Sequence, residues 1–290
     1  MHACAVAATT TALLGATTLL APASARAGES VEQPWVIAHR GASAYAPENT
    51  LASIDKAARL GFSWVENDVQ RTKDGTLVVL HDDSLARTTN VETVFPGRSP
   101  WKVKDFTAAE VARLDAGSWY GPAFTGTRVP TLDQYMRRVE HNHQKLLLEI
   151  KNPELYPGIE RQTLKLLAND GWLDRQHLDD RLIVQSFSAD SVRIVHDLKP
   201  GVRTAFLGKP SVAALGRYAD FVDLINPRQN SLTAGYVSAV HAFTGPHGRP
   251  LEVAAWTVDD AATARTAARH GVDGVISNRP DVVRAALGAP

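Results

Sequence analysis

Nine apolar, strand-like runs follow one another between residues 36 and 276, most of them separated by stretches with the apolar spacing of an amphipathic helix. They fall at 36–41, 64–70, 77–82, 145–151, 182–187, 203–207, 221–226, 253–258 and 272–276. Runs as continuously apolar as these belong to a parallel sheet covered by helices, because a strand with one wet face would alternate instead. One junction breaks the alternation. Between the second and third runs lies only T-K-D-G (72–75), whose Asp74-Gly75 pair marks a hairpin. A hairpin is antiparallel, whereas the other units read as right-handed β-α repeats. The expected fold is therefore α/β, a (β/α)8 barrel of the TIM type with one extra hairpin strand. A segment at about 84–130, rich in Thr, Gly, Pro and aromatic residues, is inserted after these early strands. A stretch of that length is expected to be a lid or wall of a site rather than a linker. It holds one helical pattern, at 107–114, for which Thr107 and Glu110 form a capping box.

In such a barrel the site lies at the C-terminal ends of the strands. There the sequence places His39 and Arg40, Glu66 and Asp68, Glu149 and Lys151, Ser186 and Phe187, Asn226, and Trp256. Glu66 and Asp68 are two apart on one strand and share a face, as do Glu149 and Lys151. Counting outward from the hairpin turn sets His81 opposite Glu66. Taken singly, each residue has a bland reading: a histidine ending a strand is commonly structural, and carboxylates two apart are commonly a solvated face. Jointly they do not. Buried like charges this close repel unless protons or a cation neutralise them. Glu66, Asp68 and Glu149 form an oxygen cage suited to one hard divalent cation, Ca2+ or Mg2+, against a competing zinc site of His39, His81 and a carboxylate. Arg40 and Lys151 supply positive charge and donors for a phosphodiester, and His39 and His81 titrate where a general acid and base must. Glu48 sits where a helix begins. It either orients His39 or a substrate hydroxyl, or complements the helix dipole. Trp256 is a substrate contact or core, with neither reading favoured. The histidines at 141, 143, 177, 196, 241, 247 and 270 fall in helices or loops and are expected at the surface.

The order H-R-G (39–41), P-E-N-T (47–50), E-N-D (66–68), D-G (74–75), H-D (81–82) and E-I-K (149–151) resembles the glycerophosphodiester phosphodiesterase family. The resemblance runs from about Trp35 to S-N-R-P at 277–280, and it points to a secreted bacterial-type member. It implies metal on Glu66, Asp68 and Glu149, His39 and His81 as acid and base, and phosphate held by Arg40 and Lys151. It also implies cleavage of a glycerophosphodiester to glycerol 3-phosphate and an alcohol. The implied route passes through a cyclic phosphate formed by the glycerol 2-hydroxyl; direct attack by water stays open. Asn67 departs from the family pattern, which has an apolar residue there, and is expected to face away from the metal. Two other readings stand beside this one: a phospholipase D-like or phosphoinositide-cleaving enzyme on a similar barrel, and a non-catalytic phosphate- or sugar-binding barrel.

Residues 1–27 are expected to be a signal peptide. An apolar run at 11–23 too short to span a membrane leads to Ala25-Arg26-Ala27, a signal-peptidase pattern, with cleavage before Gly28 and export from the cell. No Lys or Arg precedes the run, which points to a start codon upstream of Met1. Cys4, the single cysteine, lies in this segment, so the mature chain holds no disulfide or thiolate metal site. Removing Arg26 leaves 30 basic against 31 acidic side chains, from totals of 31 and 31. That balance gives no footprint for nucleic acid or an anionic membrane. A small-molecule glycerophosphodiester is the expected partner of one barrel domain, 28–290.

Overall fold

The computed structural model of the protein describes residues 1–5, 7 and 33–288. The chain divides into two units, Met1–Glu32 and Gln33–Pro290. In the first, the described residues have no regular secondary structure and Cys4 is exposed. The remainder of the expected signal peptide lies outside the described residues.

The second unit is the barrel. Its strands are β1 (Trp35–Ala38), β2 (Trp64–Arg71), β3 (Leu77–Val79), β4 (Lys145–Ile150), β5 (Leu182–Ser186), β6 (Arg203–Leu207), β7 (Leu224–Asn226), β8 (Glu252–Ala255) and β9 (Gly274–Ser277). They form one sheet in the order β1-β9-β8-β7-β6-β5-β4-β2-β3, and β1 also pairs β2, which closes an eight-stranded parallel ring. β3 stays outside that ring, antiparallel to β2. The expected fold is the observed one, extra hairpin strand included.

Period-two geometry divides the side chains of each strand between two cores. One set points into the ring, where Ile37, Trp64, Leu147, Ile183, Leu224 and Ile276 belong to a single apolar cluster. The other set packs against the helices in two larger clusters, exemplified by Val65 and Leu148 on one side and Val253 and Val275 on the other. Trp64 shares its face with Glu66 and Asp68, so an apolar plug fills the barrel below the two carboxylates. The register places Asp68 beside Glu149 on the neighbouring strand. Most helices start where a short polar side chain takes up free backbone N–H groups. Thr50, for instance, forms a capping box with Ser53 ahead of the helix Leu51–Arg59. Among the described residues no helix is long and apolar enough to cross a membrane.

Three expectations are corrected in detail. The hairpin turn spans Thr72 to Thr76, closed by Thr72 N–H to Thr76 O, and the pairing is Val69↔Val79, Gln70↔Val78, Arg71↔Leu77. Carried one step past the Leu80 N–H to Asp68 O bond, that register sets His81 beside Asn67 rather than Glu66. Five turn residues instead of four shift the count by one. The strand expected at 221–226 starts only at Leu224, because Phe221 and Val222 close the turn after the helix Leu215–Ala219 by donating to Tyr218 O. His177 is buried, not superficial. Its ring lies 4.7 Å from that of Trp172, with Nδ1 2.7 Å from Asp174 and Nε2 3.2 Å from Glu140.

The inserted segment is not loose. Leu85, Val91, Val103, Phe106, Val111 and Leu114 make a small core of their own, continuous with Val78 and Leu80 of the hairpin. The Thr107–Glu110 capping box is present, opening the helix Ala108–Val111. Asp115 accepts from the N–H groups of Gly117, Ser118 and Gly126 at 2.7–2.8 Å, which holds its carboxyl well below the usual range against the effect of burial.

Candidate active site

β1 delivers the first residues. After Ala38 the chain turns sharply, with Arg40 at φ 54° and Gly41 at φ 79°. A Cβ on Gly41 would lie 2.6 Å from the backbone of Ser53, so the turn needs glycine for space as well as for conformation. The turn points Arg40 N–H at Glu66 Oε2, 2.9 Å away. It also aims the Arg40 side chain across the strand ends, with Nε 3.3 Å from Asp68 Oδ2 and Nη1 donating to Glu48 Oε1 at 2.9 Å. Asn49, held at φ 58°, donates to the same Asp68 Oδ2 at 2.8 Å. From β4, Lys151 Nζ stands 2.8 Å from Glu149 Oε1 and 3.7 Å from Asp68 Oδ1.

Glu66, Asp68 and Glu149 are all buried, and each offers an oxygen within 4.8 Å of the others. Their environments push their pKa values apart. Burial, then the charges of Asp68 and Glu149, raises Glu66 well above the usual carboxylate range. Burial and Asp68 push Glu149 up to about 8, even with the Lys151 ammonium beside it. Asp68 is lowered: burial opposes its charge, but Arg40, Lys151 and His81 outweigh that. Two of the three carboxyls are thus pushed toward holding protons and the third toward ionisation, the electrostatics expected of a cluster of buried like charges that a cation would relieve. Asp68 Oδ1 is buried without a hydrogen-bond partner, as a ligand oxygen would be. An all-oxygen donor set fits a hard divalent cation. Among the described residues the converging ligand atoms are carboxylates only, which argues against the zinc reading with two histidines.

The two histidines are held differently. His39 Nδ1 lies 2.7 Å from Asn278 Oδ1, which also accepts from Ser43 Oγ at 2.7 Å. Asn278 in turn donates from Nδ2 and its backbone N–H to Asp259 at 2.7 and 2.8 Å. With Asn278 Oδ1 an acceptor, Nδ1 of His39 carries the proton and Nε2 presents a lone pair to the site, 4.0 Å from Glu66. Burial and the Arg40 guanidinium lower the His39 pKa to about 4 against the pull of that hydrogen bond, so the ring is neutral at neutral pH. His81 Nδ1 instead meets a carboxylate, Asp82 Oδ1, at 2.6 Å. Asp82 is held far below the usual range, first by that hydrogen bond and then by Arg87 against burial. Gln70 Nε2 anchors the loop by donating to His81 O at 3.0 Å.

A cavity of about 70 Å³ opens here, with His39, Arg40, Glu66, His81, Glu149, Lys151 and Trp256 in its wall. Trp256 is therefore a wall residue, its Nε1 donating to Asn226 O at 2.7 Å and its ring edge-on to the half-exposed Phe187 at 5.4 Å. Asn226 itself is buried and donates to Gln185. Glu48 is corrected. The helix Leu51–Arg59 has no acidic residue in its first turn, and Glu48 serves Arg40 and Arg87 instead of the helix dipole or His39.

The sequence profile of the glycerophosphoryl diester phosphodiesterase family matches residues 39–282. The chain belongs to that family. It is 38% identical to YhdW of Bacillus subtilis strain 168 over 257 residues, covering 86% of this chain and 96% of that one. It is 34% identical over 250 residues to a glycerophosphodiester phosphodiesterase of Caldanaerobacter subterraneus, covering 86% and 95%. Among solved structures, an Oleispira antarctica phosphodiesterase in complex with the product sn-glycerol-3-phosphate superposes with a TM-score of 0.74 at 29% identity, covering 89% and 98%. Family membership makes the chain an enzyme and sets aside the non-catalytic barrel. The structure brings His39, Arg40, Glu66, Asp68, His81, Glu149, Lys151, Phe187 and Trp256 to one mouth, while Ser186 and Asn226 are buried and do not line the cavity. It adds Asn49, Asp82, Arg87, Asp259 and Asn278, none of which the sequence reading gave a role. Asn49, Asp82 and Asn278 lie inside motifs that had been quoted, so their positions carried a signal. Arg87 and Asp259 carried none.

Proposed function

We propose that this enzyme hydrolyses glycerophosphodiesters to glycerol 3-phosphate and an alcohol, with one divalent cation at Glu66, Asp68 and Glu149 and with His39 and His81 as base and acid. The observation that carries the reading is the buried carboxylate triad flanked by Arg40 and Lys151, with one histidine backed by an amide oxygen and the other by a carboxylate. With all three carboxylates ionised, as ligands to a cation must be, Arg40 and Lys151 alone would leave one net negative charge facing a phosphodiester anion. Glu66, Asp68 and Glu149 would hold a Ca2+ or Mg2+ that would reverse that sign and supply positive charge for the phosphoryl oxygens. Arg40 and Lys151 then bind the same oxygens from the side, and Trp256 and Phe187 offer apolar faces to the carbon skeleton.

His39, neutral with Nε2 unprotonated, accepts the proton of the attacking hydroxyl. His81, whose Nδ1–H is directed at the Asp82 carboxylate, gives its Nε2 proton to the departing alcohol. When the glycerol 2-hydroxyl is the attacking group, the product is a cyclic phosphate, and the same two rings exchange roles as water opens it. The deciding experiment is an assay of purified protein on a panel of glycerophosphodiesters, after exhaustive chelation and after return of each cation. Hydrolysis that needs the cation and yields glycerol 3-phosphate is expected. Undiminished activity after chelation refutes the metal role, and preference for intact phospholipid would favour the phospholipase D-like reading.

The apolar run and the Ala25-Arg26-Ala27 pattern support export after cleavage before Gly28. N-terminal sequencing of extracellular protein tests this, and an intact Met1 on cell-associated enzyme refutes it.

A further inference from the structure

The inserted segment reaches the site through one side chain, Arg87, whose guanidinium lies between two carboxylates that themselves hold site residues. One edge of the fork meets Asp82, with Nε to Oδ2 at 2.6 Å and Nη2 to Oδ1 at 3.1 Å. The other edge meets Glu48, with Nη1 to Oε2 at 2.9 Å and Nη2 to Oε1 at 2.7 Å. Beyond these, Asp82 Oδ1 meets His81 Nδ1 at 2.6 Å, and Glu48 Oε1 accepts from Arg40 Nη1 at 2.9 Å. A continuous path of charged contacts therefore runs from His81 through Asp82, Arg87 and Glu48 to Arg40. It joins loops that follow two different strands, β1 and β3.

We propose that Arg87 is a positioning residue: it locks the carboxylate that orients His81 and the carboxylate that braces Arg40 into one frame, so that proton donor and phosphate-binding cation are fixed relative to each other. This rests on the roles given above to His81 and Arg40. The two carboxylates both touch Nη2 of one guanidinium, so without it they would repel and at least one would turn away, taking His81 or Arg40 with it. Only a planar fork presents two bidentate edges at once; a lysine ammonium is a single point that cannot span both. The Arg87 side chain is 45% exposed, so the space it leaves is open to a small cation from solution.

The test uses the full chain, loaded with the divalent cation that supports wild-type activity, and two substrates: a glycerophosphodiester of a simple alkyl alcohol and the 4-nitrophenyl ester of glycerol phosphate. Arg87→Ala is expected to lose about 10–100-fold in kcat on the alkyl diester, the scale seen when a group orienting a site residue is removed. The loss should be smaller on the nitrophenyl ester, whose leaving group departs without a proton. Guanidinium chloride at tens of millimolar should restore kcat, sodium chloride at equal ionic strength should not, and Arg87→Lys should stay impaired. A kcat within about twofold of wild type, or a loss that guanidinium does not reverse, overturns the proposal. Should Arg87→Ala not fold, Arg87→Gln, which keeps a planar donor to one carboxylate, is put through the same rescue and judged the same way. His81→Ala measured in parallel separates the two levels. If it loses activity while Arg87→Ala does not, only the positioning role is wrong; if it keeps wild-type kcat, the reading of His81 fails and the proposal falls with it.

Discussion

His39 and His81 both line one cavity, and the atom behind each ring decides what it can do. Behind His39 stands a neutral amide oxygen that fixes its tautomer, and behind His81 stands a carboxylate. His39→Ala and His81→Ala should each lower kcat by roughly 10²–10⁴-fold with cation affinity nearly unchanged. They should differ on activated substrates. His81→Ala should recover much of its loss on the 4-nitrophenyl ester and His39→Ala should not, and equal recovery by both would refute the assignment of acid and base. The carboxylates make a pH prediction. Without a cation, Glu66 and Glu149 keep protons above the usual carboxylate range, Glu149 to about 8, and cation binding must expel them. Cation affinity should therefore rise with pH from the ordinary carboxylate range to at least about 8. The same raised pKa values make the cation-free fold lose stability as pH climbs through that window, because there the native state binds more protons than the unfolded chain. His39, lowered to about 4, acts in the opposite sense from about 4 to the ordinary histidine range. Calorimetric titration in two buffers of different ionisation heat reads the proton release directly, and a cation affinity flat across this range would contradict it.

The turn after β1 and the inserted segment are the elements on which the site depends. Gly41→Ala meets the Ser53 backbone at 2.6 Å and adopts φ 79°, so it should cost about 1–3 kcal/mol and displace the Arg40 N–H from Glu66. Thermal denaturation together with a fall in cation affinity would show both effects; a change in neither would mean the turn relaxes freely. The segment 84–130 packs around its own small core and sends Arg87 into the site. Trimming the part beyond that core, around the exposed Trp119, should alter relative activity across alcohol groups while leaving kcat on the best substrate within about threefold. Unchanged relative activities would make that part a structural cover.

For the molecule as a whole, the barrel carries a repulsive cluster at its mouth that a cation relieves. Saturating Ca2+ or Mg2+ at about a hundredfold excess over its Kd should raise the thermal midpoint by on the order of 5–10 °C. Glu66→Gln, Asp68→Asn and Glu149→Gln should each remove most of that shift while unfolding no earlier than the cation-free wild type, and an undiminished shift in all three would refute the site.

The eight-stranded ring, the extra hairpin strand and most residues in the wall of the site were legible along the chain. Strand runs and their polar ends are set by local periodicity, and a carboxylate pair two apart on one strand shares a face whatever the tertiary context. Positions relative to other strands were not. The hairpin register slipped by one because the turn length depends on Thr72 bonding Thr76, which the Asp-Gly pair does not reveal. The packed core of 84–130 was hidden because its apolar residues follow no helical or strand period. Glu48, Arg87, Asp259 and Asn278 took their roles only when strands far apart in sequence met at one mouth. Asn278 reaches His39 across 239 positions, and Arg87 reaches Glu48 across 39. Side-chain chemistry and local spacing named the reacting groups. The closing of the ring decided which partner stands behind each one, and therefore which proton it holds.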